Sequence, residues 1–190
     1  MIDSVGTLCY NLSMKFKSDN ALDQCIALVL IVLGALFRVL PHPDNFTPTM
    51  AIALFSGAVL PASLALVVPL LLMMVSDLVI GLHPLFLLVW GSFLAVVLLG
   101  AWVRKDPGFG RAAAATLSGS VFFFTVTNLG VFLFENMYEK SWAGLVECFA
   151  MALPFFRNSF LGDIFYTASF FSLFLTAQWS HHLFQKSKNF

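Results

Sequence analysis

Apolar blocks separated by short polar or proline-bearing stretches run the length of the chain, most of them near the twenty residues needed to cross roughly 30 Å of hydrocarbon. The pattern predicts helices over residues 21–40, 48–60, 62–80, 84–103, 112–134 and 159–178. Pro48, Pro61 and Pro84 stand where helices would begin, and there a missing backbone N–H costs little. The second block reaches only about 20 Å at 1.5 Å per residue, so it either crosses a thinned bilayer or re-enters. Residues 142–153 are apolar but carry Glu147 and stop at Pro154, which predicts a short interfacial helix anchored by Trp142.

Composition agrees with this division. Hydrophobic residues make up 59% of the chain and charged residues 11%, against roughly 45–50% and about 25% in an ordinary soluble domain. The expected fold is all-α: a polytopic membrane protein built as a six-transmembrane-helix bundle over residues 21–178. Residues 1–20 form a cytoplasmic N-terminal segment that is not a cleavable signal, and 179–190 a cytoplasmic tail. Ten basic residues balance ten acidic ones, which gives no reason to expect a nucleic-acid partner. Cys9, Cys25 and Cys148 lie far apart, without metal-ligand spacing.

Orientation follows from where the basic residues fall. Six spans with a cytoplasmic N-terminus put Lys15, Lys17, Arg104, Lys105, Arg111, Lys186 and Lys188 inside, and Arg38, Lys140 and Arg157 outside. Five spans would move the Arg104, Lys105 and Arg111 loop outside and reverse the bias. Both termini are therefore expected in the cytoplasm.

In this topology the polar residues collect at the outer end: Arg38, His42, Asp44 and Asn45 after the first helix, Asp77 and His83 around the third turn, then Asn128, Glu135, Arg157, Asn158 and Asp163. A carboxylate at the bilayer centre costs about 2.5–3.5 kcal/mol, so Asp77 is expected to pair with Arg38 or Arg157, or to meet a ligand. On the fifth helix Ser118, Val121, Thr125, Asn128, Phe132 and Glu135 recur at three- and four-residue steps as one stripe. Ser159, Asp163 and Tyr166 share a face of the sixth. The rigid link Pro41-His42-Pro43-Asp44-Asn45-Phe46-Thr47-Pro48 could wall a pocket, with Thr47 placed to cap the second helix. Each of these has a plainer reading: an ion pair for Asp77, interhelical glue for Thr125, a snorkelling anchor for Arg157.

Catalytic patterns are missing. Ser118-Gly119-Ser120 lacks the nucleophile-elbow context, and His42, His83, His181 and His182 form no ligand array on one helix. No phosphate-binding loop is present, and neither cofactor nor metal is expected.

From about Gly34 to Ala177 the chain resembles a family of uncharacterised six-helix bacterial membrane proteins related to the substrate-binding S components of energy-coupling factor (ECF) transporters. The resemblance rests on Arg38-Val39-Leu40-Pro41-His42-Pro43-Asp44-Asn45-Phe46-Thr47-Pro48, Ala53-Leu54-Phe55-Ser56-Gly57-Ala58 and Ser76-Asp77-Leu78-Val79-Ile80-Gly81. It continues in Thr127-Asn128-Leu129-Gly130-Val131, Pro154-Phe155-Phe156-Arg157-Asn158, Gly162-Asp163 and Tyr166-Thr167. It implies a bacterial inner-membrane protein that binds a vitamin-like solute in an outward-facing pocket and works with a transmembrane coupling protein and two ATPases. One departure is the first helix, where S components often carry Ala-x-x-x-Ala for docking and Ala27 is here followed by Ile31. The expected function is solute binding without covalent chemistry, by Arg38, Asn45, Asp77, Asn128, Arg157 and Asp163. The alternative is a structural or assembly protein whose outer end is a packed ion-pair network, and the two differ in whether a cavity of about 300 Å³ or more lies there.

Overall fold

The computed structural model describes residues 21–188, which fold as helices with no strand among them. In chain order they are α1 (Ala21–Val39), α2 (Thr49–Val59), α3 (Ala62–Ile80), α4 (Phe86–Lys105), α5 (Phe109–Phe134) and α6 (Trp142–Lys188). The last four are long and apolar enough to cross a membrane. Their outward faces carry exposed Leu78, Val79, Leu87, Phe109 and Phe134, the kind of surface lipid covers. The expected segment 1–20 lies outside the described residues.

The centre of the bundle is the shortest helix. Every residue of α2 is buried, and α2 touches all five other helices. Its sequence, small or apolar all round, suits burial on every side. Eleven residues rise only about 16 Å, and the surrounding helices leave none of its residues on the outer surface. It lies against α4 almost backbone to backbone: a Cβ on Gly57 would sit 2.1 Å from the Val97 carbonyl oxygen, and one on Gly100 2.1 Å from that of Leu54. Only glycine permits that approach. On its other side Phe55 meets the rings of Phe170, Phe171 and Phe174 on α6 at 5.3–5.6 Å. The expected Thr47 cap is not formed: Pro48 occupies the cap position without a side-chain bond, and the Thr47 hydroxyl lies 3.1 Å from that of Thr49.

Two further expectations change. Residues 142–153 are not a separate helix, because α6 continues through Pro154. Proline deletes one intrahelical bond there, but Phe124 of α5 packs against Phe149 on one side of the proline and Phe156 on the other, at 5.6 and 4.4 Å, holding both halves in line. The 47 residues of α6 run about 70 Å, and the helix continues through the expected tail as far as Lys188. The polar stripe on α5 also faces differently, since Ser118, Val121 and Thr125 are exposed. Thr125 can lie outward because its hydroxyl donates to the Val121 carbonyl one turn back, at 2.8 Å.

Candidate functional site

Two polar clusters form where α1 and α3 end, where α4 begins, and along the facing stretches of α5 and α6. The first is centred on Asp77, which is 2% exposed. Arg38 Nη2 donates to Asp77 Oδ1 at 2.7 Å, and Trp90 Nε1 donates to Oδ2 at 2.8 Å. Arg38 Nη1 donates to the Ser76 hydroxyl, which also lies within bonding distance of the Leu72 and Met73 carbonyls. Both carboxylate oxygens are thus engaged and the charge is neutralised by the arginine, as the cost of a bare buried carboxylate requires. The void beside Arg38 and Ser76 is only about 10 Å³, near the minimum for a single water. His42 is tied down as well, its ring nitrogens 3.0 and 3.2 Å from the Pro43 and Arg38 carbonyls.

The second cluster opens onto a cleft of about 230 Å³ between α5, α6 and the α1–α2 link. Asn45, Asn128 and Asp163 line it, together with Ser120, Thr127 and Ser159. Phe123, Phe124, Phe155 and Phe156 supply aromatic wall. The link is seated by Phe46, whose backbone would meet a Cβ on Gly162 at 3.3 Å and whose ring packs on Phe165 and Tyr166. Asn158 Nδ2 donates to the Asp44 carbonyl at 3.2 Å. A turn closed by the Phe46 N–H on the Pro43 carbonyl puts Asn45 at φ 59°, a left-handed conformation that asparagine tolerates. That turn delivers the Asn45 side chain to the cleft.

Asp163, 6% exposed, lies at the inner part of this cleft. The Ser120 hydroxyl is 2.7 Å from its Oδ2 and 2.9 Å from the Thr116 carbonyl, one proton shared between two acceptors. Among the described residues Oδ1 has no hydrogen-bond partner and no cation lies within ion-pair distance of the carboxylate. One turn further along α6, Thr167 buries a hydroxyl that also has no partner among the described residues. The Asn128 amide donates to the Phe124 carbonyl at 2.7 Å, and the hydroxyls of Thr127 and Ser159 donate to carbonyls of their own helices. Their oxygens keep acceptor capacity toward the cleft.

Of the six expected site residues, then, Asn45, Asn128 and Asp163 come together, Arg38 and Asp77 bond each other elsewhere, and exposed Arg157 lines neither place. The family model described as a family of unknown function (DUF6580) matches residues 18–186. The chain belongs to that family. No curated protein and no solved structure matches it. In this DUF6580 chain Trp90 and Ser120 were not among the residues expected in the two clusters, whereas Ser159 was expected on the face of Asp163 and lines the cleft with it. Trp90 had a signal, since an indole N–H within an apolar helix needs an acceptor. Ser120 had none beyond its place among small residues.

Proposed function

We propose that this protein is a membrane-embedded solute-binding subunit, of the S-component kind, for uptake of a small micronutrient. The observation that carries the reading is the cleft of about 230 Å³ whose buried carboxylate has been left without a counter-charge. It falls short of the roughly 300 Å³ expected above for a binder, which narrows the reading to a solute of few atoms. Binding followed by reorientation, with energy from a partner, fits a chain without a phosphate-binding loop. The charge bias favours a cleft facing outward and the 104–111 loop facing the cytoplasm. Accordingly Gly108→Cys should be labelled by an impermeant thiol reagent only from the cytoplasmic side. If an ECF-type coupling protein docks, it does so away from Ala27 and Ile31, which are fully buried in the bundle; exposed Val29, Val32, Leu36 and Phe37 are the available face of α1.

Mass spectrometry of small molecules extracted from purified wild type and from Ser159→Phe tests the reading. A solute enriched in the wild type and lost when phenylalanine fills the cleft supports it; identical extracts overturn it. The structural or assembly reading draws on the Arg38–Asp77 pair, which is directly bonded and closed, and identical extracts would favour it.

A further inference from the structure

The geometry points to a solute class for the cleft: a flat organic cation or amidine-like N–H donor, anchored by Asp163 and stacked against phenylalanine. This rests on the solute-binding reading above and sharpens it. No lysine, arginine or histidine lines the cleft among the described residues. Arg38 is committed to Asp77, and Arg157, the other candidate, lies exposed outside the lining. A carboxylate or phosphate on the solute would therefore find nothing in the lining to neutralise it, whereas a cation supplies the counter-charge that favours the ionised form of Asp163.

The groups that do line the cleft favour the opposite sign. Asp163 Oδ1, without a partner among the described residues, is free to accept, while Oδ2 is held by Ser120 at 2.7 Å. A fork of two N–H groups matches such a carboxylate with short, charge-assisted bonds. Asn45, Asn128 and Thr127, which line the same cleft, carry further acceptor oxygens. The negative faces of phenylalanine rings attract a desolvated cation and stack on a flat body. Phe124 and Phe156, with centroids 4.4 Å apart, line the same cleft as Asp163.

Three planar probes of nearly equal size separate the possibilities: benzamidinium, benzamide and benzoate, carrying positive, zero and negative charge. Each is titrated against the full chain in lipid nanodiscs and read by ligand-observed NMR, with empty nanodiscs subtracted. Benzamidinium should bind at least about tenfold more tightly than benzamide, a difference of about one charge-assisted contact, and benzoate should show no saturable binding. Asp163→Asn should erase the preference of benzamidinium over benzamide, and Ser159→Phe should remove the binding of both. Equal binding of benzamide and benzamidinium, or any preference for benzoate, overturns the proposed class, while loss of that binding in Ser159→Phe would leave the cleft as the binding site. Silence from all three probes in the wild type overturns the class, while the extraction experiment alone decides the solute-binding reading.

Discussion

Asp77 and Asp163 are both buried aspartates within apolar helices, and the bundle treats them in opposite ways. Asp77 receives an arginine and an indole, one on each oxygen, and little space is left beside it. Asp163 receives one serine hydroxyl on one oxygen and fronts an open cleft. The first arrangement is complete without a ligand. The second leaves on the cleft a carboxyl oxygen that the described residues do not bond, open to a solute. Burial and residue type are the same in the two places, so completeness of bonding is what separates a structural aspartate from a candidate site.

The largest break in this comparison comes from removing the counter-charge that only one aspartate has. Arg38→Ala leaves Asp77 buried and unpaired and should cost about 3–5 kcal/mol of stability, read as a lowered melting temperature or loss of folded protein from the membrane fraction. Arg157→Ala should leave the melting temperature unchanged. Adding Asp77→Asn to Arg38→Ala should recover a substantial part of the loss, because the stranded charge is gone; a double variant as unstable as Arg38→Ala alone would show that the arginine acts through packing. Trp90→Phe, which deletes the bond to Asp77 Oδ2, should cost about 1–3 kcal/mol.

A smaller effect sharpens the other side. Asn45→Ala should lower stability by about 1–2 kcal/mol because alanine resists the left-handed backbone at that turn. Asn45→Gly keeps the turn and removes only the side chain, so it should match wild type in melting temperature and weaken solute binding. Equal loss of stability in both variants would mean that the Asn45 side chain supports the fold and not the cleft.

Much of this was legible before the structure, and the failures have physical reasons. The apolar block 62–80 coincides with α3, and the cost of a lone carboxylate led to a pair between Asp77 and either Arg38 or Arg157, of which the structure shows Arg38. The unbroken α6 was not legible, because Pro154 and Glu147 signal a boundary locally while Phe124, which spans the proline, belongs to another helix. That error also misplaced Arg157. With the helix begun at 159, its angular position was undefined; in the continuous helix it lies about 120° around from Asp163, off the cleft. The rotation of α5 could not be read either, since small polar residues occupy both of its faces and serine or threonine can satisfy itself on its own backbone while facing outward.

The central claim, that Asp163 fronts an open cleft and Asp77 a closed network, is tested most directly by reagent access. In a background lacking the native cysteines, Asp163→Cys and Asp77→Cys would each be exposed to a small, positively charged methanethiosulfonate, with the folded fraction checked by size exclusion. Rapid modification of the cysteine at 163, with the one at 77 unreactive, is the predicted result; a cysteine at 163 that stays unmodified in folded protein would contradict the account.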